Sequence, residues 1–238
     1  MTNRLIEIDA MRGIAILFMV IFHIALSENL FSNKNYNLHG GFLEFTGHFS
    51  RTLFLFLMGT SLVLAYKKKK KENKSYRMFQ INRGTQILVY GLIVTFLTKM
   101  VLPQQYVAFG ILHFIGLTII LLSFIIDKKF IIYLVLVICL TAWGNLNSKD
   151  GNLFNYVLGT NYNYHGWTID YFPLLKNIPK VLAGVLFGYY YVNNPLNIRE
   201  DIKNNKIVKI LEKLGKQSLN IYMLHLPIVY FLSKGLKI

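Results

Sequence analysis

Apolar runs of about 17 to 25 residues recur along almost the whole of this 238-residue chain, and nothing constrains its fold more. A helix of that length crosses about 30 Å of hydrocarbon while satisfying its own backbone hydrogen bonds. Seven such runs are present, at about 6–27, 49–66, 84–102, 107–126, 130–146, 174–193 and 217–236. With 54% hydrophobic and only 16% charged residues, the chain is too apolar for an ordinary soluble domain. The expectation is an all-α integral membrane protein, a bundle of about seven transmembrane helices. It forms one domain over residues 1–238 and sits as a multi-pass protein in the cell membrane. Pro103 lies in a turn short enough to make the third and fourth spans a hairpin. The sixth span opens on Lys176 and Lys180, whose stems can run along the helix and carry each ammonium to the interface. The first span is too long for a removable signal and shows no small-residue cleavage site, so it reads as a permanent helix.

Charge sets the orientation. Counted from a cytoplasmic N-terminus, 18 of the 26 basic residues fall on the cytoplasmic side. They include Lys67 to Lys71, Lys128, Lys129, Arg199, Lys203, Lys206, Lys209, Lys213 and Lys216. An excess of Lys and Arg marks cytoplasmic loops, so the N-terminus is expected inside and the C-terminus outside. The Lys67 to Lys71 run is read as a topology determinant that meets anionic membrane lipids in preference to nucleic acid. No nucleic-acid module or interleaved basic and aromatic loop accompanies it. The single cysteine, Cys139, lies in the fifth span and rules out an intramolecular disulfide. There is no internal repeat, no glycine-rich phosphate loop and no Cys/His cluster with metal-ligand spacing, so no metal is expected.

Ionisable groups at membrane depth are costly, which makes the few present informative. Asp9 and Arg12 are three residues apart and can pair on one face of the first helix. Arg12 and His23 are eleven apart, which returns to the same face within about 20° and separates them by about 16 Å along the axis. One stripe thus carries Asp, Arg and His. The bland alternative is that Asp9 and Arg12 mark the membrane boundary while His23 bonds a neighbouring helix. All six histidines, His23, His39, His48, His113, His165 and His225, fall in the outer half or near mid-membrane. His39 and His48 are placed in the first outer loop, His113 early in the fourth span and His165 in a long outer loop. On the last span Ser218, Tyr222 and His225 recur at i, i+4 and i+7 and form a polar stripe. Neutral imidazole can take a proton from a hydroxyl or amine and return it to a leaving thiol, so outer histidines suit acyl or proton transfer.

The opening RLIEIDAMRGIAI at residues 4–16, followed by Met19 and His23, resembles the first helix of the transmembrane acyltransferase superfamily. Within it, the chain is most similar to the heparan-alpha-glucosaminide N-acetyltransferase catalytic-domain family, a relative of the acyltransferase type 3 proteins. LFLFLMG at residues 53–59, FGILH at 109–113 with Gly116, and DYFPLL at 170–175 with Gly184 and Gly188 resemble later family segments. Ser218 to Tyr222 with His225 and Pro227 resembles its closing helix. The resemblance implies transfer of an acetyl or other acyl group from cytoplasmic acyl-CoA, acetyl-CoA above all, to an extracytoplasmic sugar or glycan acceptor.

By that analogy Asp9 and Arg12 line the donor's path, and His23 is a general base or transient acyl carrier. His39, near the position of an active histidine in the family's lysosomal branch, is its rival. His48, His113, Tyr222 and His225 are expected to contact substrate, and Asp170 either orients acceptor hydroxyls or caps a helix. Full-length family members carry more spans than seven, so part of the acceptor apparatus is expected either to be missing or to come from a second subunit or a homo-oligomer. Two other classes compete: a transporter of polar small molecules using the same buried stripe, and a non-catalytic membrane partner in a cell-envelope assembly.

Overall fold

The computed structural model describes residues 5–72, 74–129, 131–136, 138, 153–160, 168–196 and 199–235. In chain order its helices are α1 (Ile6–Phe31), α2 (Gly41–Lys71), α3 (Tyr76–Val101), α4 (Ile111–Ser123) and α5 (Leu153–Leu158). These are followed by α6 (Leu174–Asn193), α7 (Glu200–Asn204), α8 (Lys206–Lys216) and α9 (Ser218–Gly235). Among the described residues the fold is all-helical, with one isolated bridge between Phe109 and Tyr171.

Three of these helices, α1, α2 and α3, are long and apolar enough to cross a membrane, so this is a membrane protein. At 1.5 Å per residue the 26 residues of α1 and α3 reach about 39 Å, more than the hydrocarbon needs. Helix α4 and the Ser218–Leu232 part of α9 are apolar but shorter. The sixth run coincides with α6. The fourth is cut back, because residues 102–110 form a loop instead of helix. The second extends at both ends: no proline interrupts Gly41–Lys71, so His48 and the lysine run, expected in loops, are helical. Most of the fifth run, with Cys139, lies outside the described residues, as does His165.

The chain divides into two compact units. The first comprises Met1–Leu57 and Pro195–Ile238, and holds α1, the first part of α2, and α7 to α9. Helix α1 ends where Ser32 closes a bond to Glu28 O and Asn33 takes φ 53, a left-handed stop that asparagine tolerates. Leu17, Ile21 and Ile24, at i, i+4 and i+7, are exposed and form an apolar face along one side of α1. The other side packs on α8 and α9.

The second unit, Met58–Asn194, is held by close helix contacts at small residues. Gly59 faces the backbone of Val181 and Val185 on α6, and Gly188 faces Thr60 and Val63 on α2. Between them the Thr60 hydroxyl donates to Gly184 O at 3.0 Å. Gly84 of α3 and Gly116 of α4 approach in the same way. In lipid there is no hydrophobic drive between helices, so backbone-to-backbone approach and hydrogen bonds of this kind hold them together. Val63, Phe114, Ile119, Val181, Leu182 and Val185 fill the core of this unit. At one end, Lys69 lies over Phe79 at 4.5 Å, Arg77 over Phe124 at 5.1 Å and Lys129 over Tyr189 at 4.6 Å. The ring faces attract these cations and the stems cover apolar surface.

Candidate functional site

The first unit assembles most of the polar residues singled out in the sequence. Asp9 is 3% exposed, and its Oδ1 receives a 2.9 Å bond from Arg12 Nη1. Its Oδ2 is buried without a hydrogen-bond partner among the described residues. Such an orphaned oxygen is expensive unless something else meets it. The cover over Asp9 comes from α8: a Cβ at Gly215 would stand 2.7 Å from the Asp9 carbonyl carbon and 3.0 Å from Gly13 N. Gly13 in turn meets the backbone of Leu211, where a Cβ would lie 3.0 Å from Cα. The pair Asp9 and Gly13 thus fits against Leu211 and Gly215, each set spaced by four residues so that both lie on one helix face.

Further along the same face, His23 meets His225 of α9, the ring centroids 4.9 Å apart and the planes at 73°. Each ring is steered by a carbonyl one turn earlier on its own helix. His23 Nδ1 lies 2.9 Å from Met19 O, and His225 Nδ1 lies 2.7 Å from Tyr222 O and 3.2 Å from Ile221 O. A carbonyl only accepts, so each Nδ1 carries hydrogen, and each neutral ring presents Nε2 as a bare lone pair. The Nε2 of His225 is buried with no partner among the described residues. Two imidazoles set edge to face, each with an unprotonated Nε2, can accept a proton from a hydroxyl or amine. Tyr222 lies beside His225, centroid to centroid 5.4 Å. Below the pair Ser27 donates to Val229 O at 3.5 Å, and Phe31 packs edge-on to Tyr230. These contacts keep α9 in register with α1.

The other sequence candidates lie elsewhere. His39 is exposed in the loop after α1, and its backbone N–H bonds Asn37 Oδ1 at 3.1 Å. His48 is exposed on α2, its Nε2 3.9 Å from Glu44. Among the described residues no hydrogen bond or ring contact joins either to the His23 and His225 pair. In the second unit His113 is 7% exposed, tilted against Phe109, with Nε2 3.4 Å from the Thr95 hydroxyl and Nδ1 unpartnered among the described residues. Gly91 makes its space, since a Cβ there would sit 3.1 Å from the ring. Asp170 Oδ2 receives the Ile111 N–H at 3.1 Å, which satisfies a free donor at the start of α4. Nearby, burial pushes the Tyr171 phenol up to about 12, and its hydroxyl donates to Tyr156 O at 2.5 Å.

Sequence reasoning missed Arg51. It stands on α2 within electrostatic reach of His23, twenty-eight residues away in the chain, and no periodicity connects the two. The two glycine contacts with α8 were also hidden, because nothing in the spacing of α8 says which helix its glycine meets. Among the described residues no group of three or more His, Cys, Asp or Glu is arranged to hold a metal ion.

A family model described as "Heparan-alpha-glucosaminide N-acetyltransferase, catalytic" matches residues 4–227, nearly the whole chain. No curated protein and no solved structure matches it.

Proposed function

We propose, because the chain belongs to the heparan-alpha-glucosaminide N-acetyltransferase catalytic family, that it is a multi-pass cell-membrane enzyme moving acetyl from cytoplasmic acetyl-CoA to an extracytoplasmic glycan. Within that family, the observation that carries the reading is the contact between His23 and His225, two imidazoles held with Nε2 free to accept a proton. The acceptor's hydroxyl or amine gives its proton to His23 Nε2 as its oxygen or nitrogen bonds to the thioester carbonyl carbon. The carbon–sulfur bond breaks, and the thiolate takes the proton back from the imidazolium. The Asp9 and Arg12 pair, about 16 Å along α1, lies toward the donor's side. There the guanidinium suits a phosphate of the donor, at a distance from the thioester that reacts beside His23. Arg51 steadies negative charge developing near His23. Tyr222 and His225 shape the acceptor's side of the pair, and a second subunit or second copy completes the acceptor site.

The experiment is label transfer. Purified protein in nanodiscs receives acetyl-CoA labelled in the acetyl group together with amino-sugar glycans, and product and free CoA are followed. Turnover that disappears in His23→Ala and survives in His39→Ala is the expected outcome. Acceptor flux across a proteoliposome without donor, with no acetyl transfer at all, sinks the reading in favour of a transporter.

A further inference from the structure

Helix α8 has two apolar surfaces, and only one of them is covered by protein. Leu211 and Gly215 turn to α1 and touch its backbone at Gly13 and Asp9. Ile207 and Ile210 do not: they are 67% and 60% exposed. At about 100° per residue they occupy a sector about 90° round the helix from Leu211 and Gly215. Beyond them, in the next sector, stand Lys206, Lys209 and Lys213, all exposed. Lys203 pairs with Glu200 and Lys216 with Glu212, but these three lysines have no ion-pair partner among the described residues. The helix start is fixed, since Asn205 Oδ1 accepts the Ile207 N–H at 2.8 Å, so the sectors keep their places.

The position of α8 decides what covers the bare sector. Its packed face rests on the first two turns of α1, a helix long and apolar enough to cross a membrane, which places α8 beside the end of that apolar stretch. Two isoleucines beside uncompensated ammonium groups, at that level, match the boundary between acyl chains and anionic headgroups. Lysine stems reach along apolar surface and leave the charge at the headgroups.

We propose that α8 is an interfacial helix that seats Ile207 and Ile210 among lipid chains and lays Lys206, Lys209 and Lys213 on the anionic headgroups of the adjoining leaflet. This holds whatever the enzyme's acceptor is. It also makes the leaflet's charge a regulator of the site, because the opposite face of the same helix covers Asp9.

The test uses the full chain in nanodiscs of phosphatidylcholine, with and without phosphatidylglycerol. On a Cys139→Ser background, nitroxides are attached at Ile207→Cys, Ile210→Cys and Lys209→Cys. Collision with oxygen relative to a water-soluble nickel chelate is expected to be several-fold higher at 207 and 210 than at 209 when phosphatidylglycerol is present. Lys206→Gln, Lys209→Gln and Lys213→Gln together are expected to abolish the gain that phosphatidylglycerol brings. Water-like accessibility at 207 and 210 in both bilayers overturns the proposal. Dipolar broadening between labels does too, since it puts a second copy of the chain on this face. Should the cysteine-free background not fold, Ile210→Trp with Trp143→Phe and Trp167→Phe, quenched by brominated phosphatidylglycerol, gives the same decision.

Discussion

Replacing Gly215 by alanine tests whether the closeness of α8 to α1 holds the head of the polar stripe. In an exposed helix this change is favourable by about 1 kcal/mol through helix propensity alone. Here the new Cβ would run first into the Asp9 carbonyl oxygen, and would lie 2.7 Å from the Asp9 carbonyl carbon and 3.0 Å from Gly13 N. Comfortable separation between heavy atoms is about 3.5 Å, so the helices must part by more than about 1 Å. All three obstructing atoms belong to backbone, and no rotamer change relieves them. Overpacking of this kind costs about 1 to 3 kcal/mol, and a backbone clash belongs at the upper end. The net expectation is a loss of about 1 to 2 kcal/mol, which lowers the midpoint of a chain this size by about 2 to 8 °C. Thermal unfolding in nanodiscs, followed by far-ultraviolet circular dichroism at several scan rates, measures it. Gly13→Ala pushes on the same contact, so the double variant should fall short of the sum of the singles by about 0.5 kcal/mol or more. A midpoint that rises in Gly215→Ala, as propensity alone dictates, refutes the packing argument.

Further outcomes follow from the same geometry. His225→Ala should lower acetyl transfer by about 100-fold or more, with His39→Ala and His48→Ala within a few-fold of the parent, read by labelled product. Asp170→Ala should cost about 1 to 3 kcal/mol in thermal stability by leaving the Ile111 N–H without its acceptor, while a binding assay for donor stays unchanged. Thr60→Val removes the hydroxyl bond to Gly184 and should cost about 0.6 kcal/mol, at most about 1.7, by equilibrium unfolding in mixed micelles. Tyr171, raised from 10 to about 12 by burial, holds its proton more tightly folded than unfolded. Stability therefore falls as pH rises from about 10 to about 12, and Tyr171→Phe should shallow that decline in an alkaline stability titration.

The apolar runs alone settled that the chain is helical and lives in a membrane, because length and hydropathy are local quantities that hydrocarbon reads directly. They even placed α6 at its bounds, 174–193. The stripe of Asp9, Arg12 and His23 was equally visible, since helical period is built into spacing. Its partners were not. That His23 meets His225, 202 residues away, that Gly215 closes over Asp9, and that Arg51 lies within reach depend on which helices pack together. Packing of that sort is decided by close approach at small residues and by single hydrogen bonds, terms that leave no period in a sequence. The same holds for Asp170, whose contact with the Ile111 N–H joins residues 59 apart, and for α8, whose amphipathic spacing is local but whose seat against α1 is not.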